Sequence, residues 1–250
     1  VMYDTVVLKL LKEDIGDKYD WRSVFNKIDQ TSEYKQVEGG SGHINGLRVS
    51  VTEKHVRVTG SLSKYFRGTN LDSLTLSQVE KAIKQLGKEL GVPMIEADVE
   101  RVDMAENFEM SRPPEFYISK MQSLGECCPN KWKGTTYFPS NGVLLRFYDK
   151  SKEVRKKRKN QKNTPGAFST SVEQNLLRYE ICFGKKAIRR MFGHQLKAKD
   201  LYDKDIFWRL VSEWLYSYDE IGIISDKLFD VSFEQIKTLS DFEEWCIATV

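Results

Sequence analysis

Three segments of this chain repeat one short pattern, an arginine followed two residues later by an acid or a phenol. They are Arg101-Val-Asp103, Arg146-Phe-Tyr148 and Arg178-Tyr-Glu180. Each lies in an alternating, strand-like context, where the period of two sets both members of a pair on one face, about 7 Å apart. The neighbours on the opposite face are apolar: Val102 and Met104, Phe147, Tyr179 and Ile181. An acid on the face of an interior strand is costly unless it is paired or metal-bound. If the three strands are neighbours, one sheet face gathers Asp103, Glu180, Tyr148 and the arginines. Two carboxylates suit a hard divalent cation able to hold a phosphate oxygen. A tyrosine beside them could attack phosphorus while arginines carry the developing charge. The competing reading is architectural, with buried Arg–acid pairs tying strands together. Spacing alone leaves both open.

The tyrosine stands out by position. In LLRFYDKSKE (residues 144–153), Val143, Leu145 and Phe147 share one face of a strand and Leu144, Arg146 and Tyr148 the other. The strand runs directly into a basic helical segment. Asp149 and Lys150 flank Tyr148 at its exit, and Glu153 follows about one helical turn later. Residues 150–162 hold eight Lys/Arg against the single Glu153, a local charge of +7 in a chain whose total is +3, leaving the remainder near −4. Such a block is either a solvated helix face or an arm that contacts a polyanion. Its place immediately after Tyr148 favours nucleic acid, with Lys152, Arg155, Lys156, Lys157 and Arg158 as contacts. Tyr137 and Tyr179 are rival tyrosines, read as core or stacking residues because one lies in the partner strand and the other faces the opposite side.

Other chemistries find less support. His43, His55 and His194 are dispersed and form no two-histidine metal pair. No GxxxxGK[ST] loop and no GxSxG elbow occur. Gly39-Gly40-Ser41-Gly42 reads as a flexible loop rather than a phosphate cradle.

The elements needed to position the three pairs are legible along the chain. Residues 3–10 read as an opening strand, and a short helix is expected near 21–27. Residues 46–51 and 55–60 read as a hairpin. Residues 61–70 read as a polar loop offering Lys64, Tyr65 and Arg67. Thr75 to Leu90 is the clearest helix, with a Thr75/Gln78 capping box, a Val79, Ile83, Leu86, Leu90 stripe and a Gly91 stop. A strand follows over 95–105 and a second helix over 113–124. Strands at 134–138 and 143–148 flank a turn at Pro139-Ser140-Asn141-Gly142. The basic helix spans 150–159, a loop 160–171 and a strand 174–183. After Gly184 the pattern is helical, with stripes at Phe207, Leu210, Val211, Trp214, Tyr218 and at Phe233, Ile236, Leu239, Phe242, Trp245. The hairpins exclude an all-parallel sheet, so the fold class is α+β, an antiparallel sheet with flanking helices and a helical C-terminal region. The division expected is a domain over 1–190 and an extension over 191–250.

Bulk properties point to a protein of the cytoplasm. At 250 residues and 40% hydrophobic, the chain can build one large domain with an appendage. No apolar run long enough to span a bilayer occurs, and the charged N-terminus reads as a strand rather than a signal peptide. Four cysteines without a CxxC, two of them adjacent at Cys127-Cys128, point to a reducing compartment. The apolar, uncapped end at Val250 reads as a natural chain that continues, and Val1 ahead of Met2 as a residue left over from cloning.

Taken in order, HINGLRVSV, GSLSKYFRGTN, RVDMAENF, LLRFYDKSKE and LLRYEICF resemble the phage and plasmid replication initiators of the II/X type, which include the filamentous-phage nicking protein. The RxDxA, RxYxKxxE and RxE sequence also resembles the Rep_trans rolling-circle initiators. The resemblance covers residues 2–190. It implies a relative of the HUH endonuclease fold that nicks and rejoins single-stranded origin DNA in the bacterial host cell. It implies Tyr148 as a nucleophile that becomes linked to the 5′ phosphate and leaves a 3′-OH primer. It also implies Mg²⁺ or Mn²⁺ held by Asp103 and Glu180. Where the family carries a second acid four residues after the first, this chain has Asn107, with Glu106 adjacent; the resemblance implies that the Asn107 carbonyl oxygen or Glu106 completes the metal ligands. By the same resemblance Lys150 assists Tyr148, and Arg101, Arg146 and Arg178 contact phosphate or orient the acids. Origin DNA is the implied partner, a host helicase a further candidate. The alternative function is an origin- or operator-binding protein without catalysis.

Overall fold

A computed structural model describes residues 2–16, 19–30, 39–69, 74–160 and 175–224. In chain order its elements are β1 (Met2–Leu11), α1 (Lys12–Ile15), α2 (Trp21–Phe25), β2 (Asp29–Gln30), β3 (Gly40–Ile44), β4 (Leu47–Val51) and β5 (His55–Ser61). Then come α3 (Leu62–Arg67), α4 (Leu76–Leu90), a 3₁₀ turn (Met94–Glu96), β6 (Asp98–Met110), α5 (Pro114–Ile118), β7 (Met121–Leu124) and β8 (Asn130–Trp132). The rest are β9 (Thr135–Ser140), β10 (Val143–Asp149), α6 (Lys150–Asn160), β11 (Asn175–Gly184), α7 (Lys185–Phe192), a second 3₁₀ turn (Ala198–Tyr202), α8 (Lys204–Asp219) and β12 (Ile221–Ile223). The loop expected at 160–171, past Asn160, and the second apolar stripe at 233–245 lie outside the described residues.

Ten strands form one sheet in the order β2-β3-β4-β5-β1-β6-β11-β10-β9-β8. Every pairing is antiparallel. The α+β class expected from the hairpins is the class observed. Alternation along each strand divides the sheet into two faces. On β10, Val143, Leu145, Phe147 and Asp149 are buried while Leu144, Arg146 and Tyr148 are half-buried. The apolar face shares one core with the α4 stripe Val79, Ala82, Ile83, Leu86 and Leu90, and with Leu210, Val211 and Trp214 of α8. Phe147 stacks on Tyr179 with 4.6 Å between centroids, and Trp214 lies 4.5 Å from Tyr179. Burial of five such aliphatics is worth roughly 1.5–3 kcal/mol each for the larger ones. The Thr75/Gln78 capping box is present, but a cap is worth about 1 kcal/mol, so packing holds α4 and the cap sets where it starts. Helices after residue 190 thus cover the sheet itself.

Four local expectations are corrected. Residues 62–67 are a helix rather than a loop: the Ser61 side chain accepts from Lys64 N and Gly68 ends the helix at φ 77°. The helix expected over 113–124 stops at Ile118, because residues 121–124 pair with β12. Gly40–Ile44 is a strand paired on both sides by β2 and β4, not a flexible loop. The turn after β9 is only Asn141-Gly142, since Pro139 and Ser140 remain paired with Leu144 and Val143.

Candidate active site

Strands β6, β11, β10, β9 and β8 are consecutive neighbours, so residues opposite one another in register share a face and form rows across the sheet. One row is Asn107, Arg178, Tyr148, Thr135, Trp132. The next is Ala105, Glu180, Arg146, Tyr137, Asn130, and the third sets Asp103 opposite Cys182 and Leu144. The three Arg-x-acid/phenol pairs therefore do share one face.

The side chains form a connected network. Arg101 grips Asp103 with two bonds, Nε to Oδ1 at 2.7 Å and Nη2 to Oδ2 at 2.5 Å. Arg146 Nη2 lies 2.7 Å from Asp103 Oδ2 and 2.8 Å from Glu180 Oε2. Arg178 donates through Nε to Glu180 Oε1 at 2.6 Å and through Nη1 to Asn107 Oδ1 at 2.9 Å, and its Nη2 is 3.1 Å from Asp4 Oδ2. Tyr148 Oη donates to Glu180 Oε1 at 2.7 Å. Lys150, almost fully buried, donates to Glu153 Oε2 at 2.8 Å, and its Nζ lies 5.9 Å from the Tyr148 ring centre.

Burial differentiates the members. Asp103 and Arg178 are completely enclosed. Arg146, Tyr148, Lys150, Glu153 and Glu180 line an open cleft of about 440 Å³, together with Asp4 and the lysines Lys64, Lys133, Lys152 and Lys156. Of the three arginines, then, Arg146 reaches the cleft, whereas Arg178 and Arg101 hold the acids. Burial, and after it the Glu180 carboxylate, push the Tyr148 phenol well above its ordinary range, against the opposing pull of Arg178. Burial and Arg178 push the Lys150 ammonium below its ordinary value, with Glu153 opposing. Cys182, beside Asp103, is raised to about 12 by burial and then by that carboxylate.

Not every expected site residue joins. Glu106 lies opposite Tyr179 in register, on the other face from Asp103 and Glu180, and accepts from the Asn107 amide at 2.9 Å. Arg67 is turned to Gln78 Oε1 at 2.7 Å, at the start of α4. Lys152 does line the cleft, paired there with Glu115, whereas Arg155 stands outside that lining, 3.9 Å from Asp149. The side chains of Lys157 and Arg158 lie outside the described residues. Tyr179 is buried on the apolar face and donates to Trp214 O at 2.9 Å, whereas Tyr137 lines the cleft. Asp4 was missed, although an acid within the alternating stretch YDTVVLKL is the same signal that flagged Asp103.

The residues do not fit a cation held between Asp103 and Glu180 as arranged. One guanidinium nitrogen of Arg146 contacts both carboxylates, where such an ion would bridge. No group of three His, Cys, Asp or Glu able to hold a metal occurs among the described residues.

A ten-stranded antiparallel sheet carrying a tyrosine–glutamate–arginine network at a lysine-lined cleft suits chemistry on a phosphodiester. Residues 2–214 match the Phage_CRI family, described as the N-terminal part of a replication-associated protein. The chain belongs to that phage family, which supports a replication-initiator role. A search of curated proteins returns no match. No helix among the described residues is long and apolar enough to cross a membrane.

Proposed function

We propose that this chain initiates rolling-circle replication by nicking and rejoining single-stranded origin DNA through Tyr148. The carrying observation is the 2.7 Å bond from Tyr148 Oη to Glu180 at the wall of a cleft lined by Arg146 and five lysines, with five acids interleaved. A phenol held protonated by burial needs a base at the moment of attack. Glu180 takes the proton as Tyr148 Oη bonds to phosphorus. The P–O3′ bond breaks, and the leaving oxygen takes a proton from the Lys150 ammonium, giving a 5′-phosphotyrosine and a free 3′-OH. Arg146, which lines the cleft, neutralises charge that builds on the non-bridging oxygens. Arg178 and Arg101 act as positioning residues. Rejoining is the reverse, with the 3′-OH attacking the phosphotyrosine.

The Mg²⁺ or Mn²⁺ implied by resemblance stays outside this step, because Arg146 fills the position between Asp103 and Glu180. Origin DNA is the proposed substrate, gripped by Lys64, Lys152 and Lys156 around the cleft.

The test incubates wild type and Tyr148→Phe with single-stranded DNA of the replicon that encodes the chain, with divalent ions present. Wild type is expected to form a denaturant-resistant protein–DNA adduct and Tyr148→Phe none. An adduct undiminished in Tyr148→Phe moves the nucleophile elsewhere, with cleft-lining Tyr137 next to be replaced. Binding without any adduct makes the chain a non-catalytic origin-binding protein.

A further inference from the structure

We infer that Trp132, with Lys133 beside it, forms a stacking platform for a base of single-stranded DNA next to the reacting phosphate. The inference rests on the proposed DNA substrate of the same cleft. Trp132 ends the row that contains Tyr148, two strands away, hence about 10 Å across the sheet. It belongs to the edge strand β8 and is 62% exposed, the most exposed of the large hydrophobic residues among the described ones. An indole left this open has no packing reason to be there, and a flat π-face is what an unpaired base stacks upon.

The turn beside it supplies a second, independent observation. Among the described residues, three hairpins of the sheet close through two-residue loops with positive φ at both positions: Asn45-Gly46 (45°, 84°), Asn141-Gly142 (41°, 87°) and Lys133-Gly134 (49°, 79°). Asn-Gly is the sequence such turns favour, and a lysine enters the left-handed region less readily. Only the turn at the cleft departs from Asn-Gly. The lysine there sets its Nζ 4.2 Å from the centre of the Trp132 ring and also lines the cleft. The ammonium lies over one face of an otherwise exposed indole, so the pair offers a ring for a base and a charge for its phosphate. Charge complementarity extends through Lys152, Lys156 and Lys64, which line the same cleft.

The probe is a fluorescein-labelled oligothymidylate of about 20 nucleotides, longer than a single-fold site. Fluorescence anisotropy on the full chain is expected to show Trp132→Ala weakening binding roughly 5- to 150-fold, the range for one base–aromatic stack. Trp132→Phe should stay close to wild type. With an abasic oligomer of equal length, Trp132→Ala and wild type should bind alike, since no base remains to stack. Lys133→Asn restores the favoured turn and removes one charge. It should weaken binding and lower the salt slope by about one. Trp132→Ala binding like wild type overturns the proposal, as does an equal loss on the abasic oligomer. Tyr148→Phe separates the two readings, since it abolishes the adduct while leaving oligothymidylate binding intact. If wild type makes no adduct yet Trp132→Ala loses binding, the platform stands and the nicking reading falls.

Discussion

Arg101-Val-Asp103 and Arg178-Tyr-Glu180 are the same motif on adjacent strands of one sheet face, yet their surroundings differ. Asp103 is fully enclosed and receives both bonds of Arg101 and one of Arg146. Its cross-strand neighbours are Cys182 and, beyond it, Leu144. Glu180 receives Arg178 and Arg146 as well, but one of its oxygens also accepts the Tyr148 phenol at the cleft. The first pair is built like a tie between strands and the second like a reactive group held in place. Which row the partner strand supplies, not the motif, makes the difference.

The largest expected effect falls on the reactive side. Glu180→Gln keeps size and still accepts a hydrogen bond, but it cannot take a proton. Single-turnover adduct formation should slow by roughly 10²- to 10⁴-fold, the range of one general base. Binding of oligothymidylate should change little. Adduct formation within tenfold of wild type would erase the distinction between the two acids.

The architectural side should fail in stability instead. Asp103→Asn leaves Arg101 without its buried counter-charge and Arg146 with Glu180 alone, and breaking a buried pair costs about 3–5 kcal/mol. Urea unfolding should show this as a lower midpoint, while the folded fraction still forms adduct within about tenfold of wild type, well short of a lost base. A variant of wild-type stability that no longer reacts would place Asp103 in the chemistry and reverse the comparison.

What could be read in advance follows the range of the interactions. The period of two, which the sequence carries directly, sets each Arg-x-acid or Arg-x-Tyr pair on one face of its own strand; the pairing of β6, β11 and β10 is what brings the three pairs to one sheet face. The α4 helix is also carried directly, since its cap, stripe and glycine stop lie within 17 residues, Thr75 to Gly91. Residues 121–124 form a strand only because β12, almost a hundred residues later, pairs with them; no local signal reveals that. The α3 helix had both its marks, Ser61 and Gly68, but six residues are too few for a periodic stripe to declare itself. The partners of the arginines were also beyond local reading. Arg178 contacts Asp4 and Asn107 from β1 and β6, and Arg146 bridges two acids expected to share a metal.

The smallest expected effect concerns Lys150, which has no counterpart on the Asp103 side. Its ammonium is buried, and burial together with Arg178 lowers its pKa from the ordinary 10.5. Between the lowered value and 10.5 the unfolded chain binds a proton that the folded chain does not, so this group makes stability rise with pH across that window. Activity should run the other way. A proton donor to the leaving 3′ oxygen is lost as pH climbs through the lowered pKa, so adduct formation should decline on the alkaline side before an ordinary lysine would titrate. Lys150→Arg stays charged and cannot give up its proton, so it loses the donated proton at every pH and with it the alkaline decline, while the acid side of the profile stays in place. Rates of adduct formation measured from about pH 6 to 11 cover the window. Identical alkaline limbs for wild type and Lys150→Arg would assign the donated proton to another group. Lys150 would then be a fixed charge beside Tyr148, and Glu180 the only proton-transfer group separating the reactive pair from the tie at Asp103.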